Sequence, residues 1–199
     1  MNVVATPRGA ILESATRLFG TNGYAGTTMR HIATAVGVLP GSLYAHIQSK
    51  EELLSEIVET GIDRFLALGH EVLASPASAE DHMYSLITGH VQLVAVNTDS
   101  IRVVYHQWRH LSGEARARVV EKRREYEAML LSVIDDGIEK GEFVGEAHPN
   151  VSAKAILGAL NWTSEWIRPD GPETSEEIGR QMADTLIGGL KSGRGSLSS

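Results

Sequence analysis

The chain has 199 residues, of which 42% are hydrophobic, and it carries a formal net charge of −7. This hydrophobic content is sufficient for a folded core, so an intrinsically disordered chain is excluded. The absence of cysteine excludes disulfides and thiolate metal sites, and no segment has the length of a signal-peptide core or a membrane span. We therefore expect a soluble cytoplasmic protein that makes no membrane contact.

Charge is distributed unevenly along the chain. The first 50 residues contain four basic residues (Arg8, Arg17, Arg30 and Lys50) and a single acid, Glu13, for a net charge of +3. The remaining 149 residues therefore carry −10. We call the basic residues 1–50 the head and the acidic residues 51–199 the body. A basic segment in an otherwise acidic chain favours contact between that segment and a polyanion, although a segment of this length can also reach +3 without any partner.

Helical periodicity dominates from the first residues onward. The first apolar run stops at Asn22-Gly23, and Thr27 is then placed to cap a second helix that ends at Gly37. A very short third helix is predicted from about residue 40 to residue 46.

A long fourth helix follows, because Ser49 and Glu52 have the spacing of a capping box. Five more helices are predicted over residues 80–96, 100–110, 112–140, 150–166 and 175–190. No stretch alternates convincingly with a period of two, so the fold class is all-α with about nine helices.

Two short helices joined by a glycine turn match the helix-turn-helix plan. In that motif the second helix enters the major groove of DNA, where a carboxylate would face phosphates at close range. Its sequence here is PGSLYAH, which contains no acid. Leu43 and Ile47 are predicted to anchor it, which leaves Ser42, Tyr44 and His46 for bases or phosphates.

The segment ILESATRLFGTNGYAGTTMRHIATAVGVLPGSLYAHIQSKEELL resembles the DNA-binding domain of the tetracycline-repressor (TetR) family of bacterial regulators. The motifs that carry the resemblance include Gly23-Tyr24, Gly37-Val38, Ser42-Leu43-Tyr44 and Ser49-Lys50-Glu51-Glu52-Leu53. The resemblance implies a homodimer that binds an operator in double-stranded DNA and responds to a small effector. It implies a three-helix DNA-binding domain over residues 1–50 and an effector-binding and dimerisation domain over 51–191. The sequence itself predicts a disordered tail over residues 192–199.

Seven residues of the head are predicted to contact DNA: Thr28, Arg30, Gly41, Ser42, Tyr44, His46 and Lys50. For Thr28 and Arg30 the alternatives are a helix cap and a solvated arginine. Gly41 would let the helix approach DNA closely, or it is a tolerated glycine. Pro40 stands where the family frequently has lysine, which removes one possible phosphate contact and leaves the operator sequence unpredicted.

Residues 100–190 look like the C-terminal domain of a TetR subgroup that senses fatty-acyl or steroid-derived coenzyme A thioesters. The resemblance implies an apolar tunnel with basic groups for the phosphates, and the predicted ligand-binding residues are Phe65, Arg102, Tyr105, Trp108, Arg109, Trp162 and Trp166. For the pair Trp162 and Trp166, core filling or a dimer contact is the alternative. Because the body is acidic, free fatty acids, steroids and lipophilic drugs are alternative effectors.

The last two predicted helices offer faces of small and aliphatic side chains for a four-helix dimer bundle. These residues are Ala155, Ala159, Met182, Ala183, Leu186 and Ile187.

Other classes of function find less support in the sequence. His106 and His110 have a workable spacing for two metal ligands on a helix, but no third ligand is indicated, so neither a metal nor a cofactor is predicted. Nucleophile–base motifs, phosphate-binding glycine loops and zinc signatures are absent, so we expect no enzyme activity. The rival hypothesis is a helical acyl-CoA carrier or enzyme, which would have no use for the basic head.

Overall fold

The structure is a computed structural model, which describes residues 7–144, 148–168 and 171–192. Over these residues the chain is helical and contains no β-strand, which confirms the all-α prediction. The α-helices are α1 (Pro7–Gly26), α2 (Met29–Val36), α3 (Pro40–Leu43), α4 (Lys50–Ala74), α5 (Ala79–Val96), α6 (Thr98–Arg102), α7 (Gly113–Glu139), α8 (Pro149–Trp166) and α9 (Ser175–Lys191). Apart from Ser192, the predicted tail lies outside the described residues.

The helices form two compact units. Unit 1 contains the chain up to Asp63 together with Asn97–Lys122, and unit 2 contains Arg64–Val96 and the chain from Arg123 onward. Helices α4 and α7 each contribute residues to both units. The predicted domain boundary after residue 50 falls in the first turn of α4, and residues 97–122 pack in the same unit as the predicted DNA-binding head.

Helix α1 is interrupted at Gly23, where the sequence predicts its end. Gly23 has φ 73° and ψ 160°, which a glycine adopts without the steric penalty of a side chain, and a last turn continues to Gly26. The inner face of α1 buries Ile11, Ala15 and Phe19. This packing confirms the apolar periodicity of the first helix.

Thr28, and not Thr27, caps helix α2, so that prediction was wrong. The Thr28 hydroxyl accepts the His31 N–H at 3.2 Å, and the Thr28 N–H donates to His31 Nδ1 at 3.4 Å. Thr27 is buried, and its hydroxyl donates to the carbonyl oxygens of Leu18 and Gly23 at 3.1 and 2.9 Å. The Thr27 side chain therefore stabilises the end of α1, and the N-cap of α2 is the next residue, Thr28.

Helix α3 is shorter than predicted and comprises only Pro40–Leu43. Tighter turns follow it, in which the N–H groups of His46 and Ile47 both donate to the Leu43 carbonyl oxygen at 2.9 Å. Leu43 and Ile47 are buried, which confirms both as the anchors of the segment.

Helix α4 begins with the serine half of the predicted capping box. Ser49 Oγ accepts the Glu52 N–H at 3.0 Å, whereas the Glu52 carboxylate accepts the N–H of Gln48 at 2.6 Å. Arg8 of α1 adds ion pairs to Glu52 and Glu56, at 3.2 and 2.6 Å. These contacts hold the start of α4 against α1 inside unit 1.

The predicted helix over residues 100–110 is in fact three segments. Helix α6 ends at Arg102, a π-helical turn covers Val103–Gln107, and a 3₁₀ turn covers Trp108–His110. The π turn lies so close to α4 that a Cβ at Gly61 would come within 2.3 Å of Val104 Cγ2. A pattern of period 3.6 cannot show such a local change of winding.

In unit 2, α9 packs closely on α5, since a Cβ at Gly179 would lie 3.2 Å from Thr88 Cα. Thr174 and Glu177 form a complete capping box at the start of α9. Ala183 and Ile187, two of the residues predicted for a dimer face, are buried within the subunit.

Candidate nucleic-acid interface

The short helix α3 and the turn after it expose polar side chains while two apolar ones hold the segment in place. Ser42, Tyr44 and His46 are exposed, whereas Leu43 and Ile47 are buried in the core of unit 1. Tyr44 is 57% exposed, so its ring is not needed for packing inside the subunit. The segment, residues 40–47, thus presents hydroxyl and imidazole groups and contains no acidic residue of its own.

Gly41 lies on the same exposed segment, and nothing within the subunit requires a glycine there. A Cβ at this position would meet no atom within 4 Å, and the residue does not have a positive φ. The lack of a side chain leaves room directly beside the backbone. A close approach of DNA at Gly41 stays a prediction.

Thr28 and Arg30 lie at the start of α2, and both are exposed. The hydroxyl of Thr28 is engaged in the helix cap, so the alternative interpretation of this residue as a cap is correct, and its contact with DNA stays a prediction. Arg30 extends from the first turn of α2 into solvent.

Lys50 is more tightly held than the sequence indicates. Its Nζ donates to the carbonyl oxygens of Tyr24 and Thr27, both at 2.8 Å, and lies 4.1 Å from the centre of the Tyr24 ring. The ammonium group therefore joins the start of α4 to the end of α1, where the positive φ of Gly23 turns the chain. A phosphate contact by Lys50 remains a prediction.

Tyr24 makes several tertiary contacts that the sequence does not indicate. Its backbone N–H donates to Gln107 Oε1 at 2.9 Å, its ring stacks on His110 at 5.2 Å, and Phe19 meets it edge-on at 5.3 Å. In the sequence, Gly23-Tyr24 is only part of a family motif. Its distant partners in the 98–110 segment cannot be found from local spacing.

The acidic residues that follow the exposed segment have partners inside unit 1. Glu51 Oε1 accepts from both the hydroxyl and the N–H of Ser112, each at 2.8 Å, and these hydrogen bonds hold the pKa of Glu51 below its ordinary value. Glu52 is engaged by Arg8 and by the backbone of Gln48.

A groove of about 470 Å³ lies in unit 1 along α4 and the start of α7. Five of its lining residues are acidic, and its two basic ones, Arg118 and Lys122, pair with Glu59 and Asp63 at 3.0 and 2.6 Å. Such a lining repels phosphate groups, and it includes none of the predicted ligand-binding residues.

Four of the predicted ligand-binding residues belong to unit 1. Arg102 and Arg109 are exposed, and Tyr105 and Trp108 are half-buried in the π and 3₁₀ turns. The Arg116 guanidinium lies 5.3 Å from the centre of the Trp108 ring and donates to the Arg109 carbonyl oxygen at 3.2 Å.

The other three predicted ligand-binding residues belong to unit 2, and they have opposite environments. Phe65 is buried, whereas Trp162 and Trp166 are exposed on α8, Trp162 to 64%. Both tryptophans are therefore substantially accessible to solvent in the single chain, and core filling is excluded as their role.

Phe65 packs in a buried cluster with His90 and Tyr126, which local sequence patterns do not bring together. The Phe65 ring lies 4.5 Å from the His90 ring, and His90 Nδ1 shares a hydrogen bond of 3.1 Å with the Tyr126 hydroxyl. Burial lowers the pKa of His90 to about 3, so its ring is neutral at pH 7, and burial raises the pKa of Tyr126.

His106 and His110 are not an i, i+4 pair on one α-helix, because the chain forms π and 3₁₀ turns over these residues. The His110 ring stacks on Tyr24. Among the described residues no group of three or more possible ligands is arranged for a metal ion. No helix in the described part of the chain is long and apolar enough to cross a membrane.

Comparison with known proteins extends the family resemblance from the head to most of the chain. Residues 11–57 match the family described as "Bacterial regulatory proteins, tetR family", and residues 76–190 match "Tetracyclin repressor-like, C-terminal domain". The HTH-type transcriptional repressor KstR2 of Mycobacterium tuberculosis is 29% identical over 188 residues, which cover 94% of each chain.

Two solved structures share the architecture over nearly their full length. The ketosteroid transcriptional regulator KstR2 of Mycobacterium tuberculosis has a TM-score of 0.89 at 26% identity, covering 96% of this chain and 97% of the other. AibR in complex with isovaleryl coenzyme A and operator DNA has a TM-score of 0.80 at 30% identity, covering 94% and 98%.

Proposed function

Because this chain belongs to the TetR family of bacterial transcriptional regulators, we propose that it is a homodimeric repressor released from its operator by a small apolar or amphipathic effector. Its relatives include HTH-type transcriptional repressors. These relatives therefore favour a regulator over an acyl-CoA carrier or enzyme.

The proposal of DNA binding rests on which side chains are buried and which are exposed in residues 40–47, called the recognition segment. Leu43 and Ile47 fix the backbone from inside, so the exposed Ser42 and Tyr44 are held in defined positions. Side chains held in this way can read base edges, while Arg30, His46 and Lys50 serve the phosphates.

The homodimer is supported by an apolar face on α8. Val151, Ala155 and Trp162 are all exposed there, and a second copy of the chain would remove them from water. Of the remaining residues predicted for the interface, Ala159, Met182 and Leu186 are partly accessible. An interface formed by α8 and the accessible side of α9 would be isologous. On its operator, the two recognition segments of such a dimer are expected to lie about 34–36 Å apart, one turn of DNA.

The effector proposal is supported by the relatives and by the character of the exposed aromatic residues. AibR was solved with isovaleryl coenzyme A, and KstR2 is described as a ketosteroid regulator. An acyl-CoA thioester would place its acyl part against exposed aromatic rings such as Trp162 and Trp166. Because both tryptophans are exposed in one subunit, they would need a partner subunit to complete an apolar wall.

Release from DNA requires that the effector bind one conformation better than the other. Helix α4 is suited to couple effector binding to DNA binding, because it is one continuous helix from Lys50 to Ala74 in unit 2. The Lys50 side chain donates to the end of α1. A coupling free energy of about 1–3 kcal/mol, which is typical of allosteric pairs, corresponds to roughly 5–150-fold weaker DNA binding.

The test begins with a duplex that the full chain selects from a random DNA library. Fluorescence anisotropy of that duplex is then followed while isovaleryl-CoA, palmitoyl-CoA, free palmitate or a lipophilic cation is added. We expect a CoA thioester to weaken DNA binding at least about fivefold, and Trp162→Ala to abolish that response. Release by palmitate or by the cation alone would replace the thioester with another effector class, and an unchanged response of Trp162→Ala would refute the position of the pocket.

A further inference from the structure

Residues 38–40, at the entrance to the recognition segment, form an exposed apolar tip. Leu39 is 77% exposed, and Val38 and Pro40 beside it are exposed as well. Within the described part of unit 1, Val38, Leu39 and Tyr44 are the only large hydrophobic residues that are exposed to this extent. The apolar exposure of this unit is thus concentrated at the segment proposed to meet DNA.

Folding of the subunit does not explain a leucine at position 39. Leu39 is the N-cap of α3, with φ −70° and ψ 143°, and its carbonyl oxygen accepts the Ser42 N–H at 2.9 Å. A serine, threonine, asparagine or aspartate at an N-cap would add a side-chain hydrogen bond to the helix. Leu39 makes no such bond and places an isobutyl group in water.

The side chains of the tip lack hydrogen-bonding groups for DNA. Neither Val38 nor Leu39 has a polar side chain, and Pro40 has no backbone N–H. A contact from these side chains to phosphate oxygens would gain nothing. In the major groove, the apolar feature of a base edge is the C5-methyl group of thymine, and apolar side chains are its usual contacts.

We propose that Leu39 is a specificity-determining residue that contacts a thymine methyl group in each half of the operator. The proposal rests on the proposed function, because it requires the N-terminal end of the recognition segment to enter the major groove. It predicts a T·A pair in the operator that the protein recognises through its methyl group and not through a hydrogen bond.

The experiment replaces each thymine of the selected duplex, one at a time, by deoxyuridine, which keeps the base pairing and removes only the methyl group. Wild-type protein should bind about fourfold more weakly at the contacted thymine, which corresponds to about 0.8 kcal/mol for one buried methyl-sized group. Leu39→Ala should bind the two duplexes equally. Val96→Ala is the matched control, because Val96 is 80% exposed but lies in unit 2, and it should keep the wild-type preference.

The outcomes separate this inference from the function on which it rests. If no thymine is sensitive to deoxyuridine, or if Leu39→Ala keeps the full preference, Leu39 does not read a methyl group, and DNA binding itself is unaffected. If the chain selects no duplex from the library, the proposed function fails and this inference fails with it. Circular dichroism melting of Leu39→Ala should match wild type, since the side chain packs against nothing in the core.

Discussion

Tyr44 and Trp162 are exposed to a similar degree, 57% and 64%, in segments of opposite character. Tyr44 follows a buried leucine in a short segment that contains a serine and a histidine but no acidic residue. Trp162 lies on the 18-residue helix α8, which also exposes Val151 and Ala155. An aromatic ring in a polar segment without acidic residues suits DNA, whereas one on an apolar helix face suits another apolar surface.

The largest expected effect tests the α8 side of this comparison. Ala155→Glu places a carboxylate on the exposed face of α8, where one subunit tolerates it but a second subunit would bury it without a partner. We expect a monomer in sedimentation velocity at micromolar concentration. Operator affinity should fall by roughly 100-fold or more, because the two half-sites are no longer linked.

Ala117→Glu is the matched control for this change, because Ala117 is equally an exposed helical alanine, on α7. It should remain dimeric and keep operator affinity. A wild-type protein that sediments as a monomer while binding the operator fully would contradict the assignment of α8 to dimerisation.

The next effect concerns the recognition side, and it separates two roles of Lys50. Lys50→Ala removes the two hydrogen bonds from Nζ to the end of α1. We expect operator binding to weaken at least about tenfold, because a hydrogen bond from a charged donor is typically worth about 1.5–3 kcal/mol. If Lys50 also neutralises a phosphate in each subunit, the slope of log affinity against log salt should become shallower by about one unit per phosphate. An unchanged slope with weaker binding would assign Lys50 to positioning alone.

The last effect concerns the stability of the fold at the buried aromatic cluster of unit 2, which contrasts with both exposed surfaces. The pKa of His90 is lowered from 6.5 to about 3 in the folded protein, so between these pH values the unfolded chain binds a proton that the folded chain does not. The free energy of unfolding should therefore fall as pH decreases through this window, by about 2 kcal/mol between pH 7 and pH 5.

Urea denaturation of wild type and His90→Gln at both pH values measures this contribution. Glutamine can keep a hydrogen bond to the Tyr126 hydroxyl but does not titrate, so the variant should lose less stability on acidification than wild type. His70→Gln serves as the control, because His70 is exposed in the same unit. An identical acid response in wild type and His90→Gln would show that His90 is not buried in its neutral form.

The head was largely predictable because its determinants are close together in sequence. The spacing of Leu43 and Ile47 indicates which side of the segment is buried, and Ser49 caps α4 as expected. The predicted cap of α2 is wrong by one residue, because Thr27 and Thr28 are both good caps and only the packing of Thr27 against α1 decides between them. The hydrogen bond from Lys50 to the Tyr24 carbonyl oxygen joins residues 26 positions apart, so local spacing does not predict it.

The larger helical region was predictable in its helices but less so in its residue environments. Helix period shows which side of α8 is apolar but not whether its own subunit covers that side, and Trp162 and Trp166 remain exposed. The π turn over Val103–Gln107 packs closely at Gly61, a long-range contact without a local signal. The His90–Tyr126 pair, 36 residues apart, is likewise visible only in three dimensions.

The most direct measurement is the salt dependence of operator binding by wild type and by the variant carrying Ser42→Ala, Tyr44→Ala and Lys50→Ala. Wild-type affinity should fall by roughly 100-fold or more between about 50 and 200 mM salt, because several phosphates are neutralised at once. The triple variant should bind far more weakly at every salt concentration and lose its preference for the selected duplex. Wild-type binding that is insensitive to salt, or a triple variant with full affinity, would contradict DNA recognition by this segment.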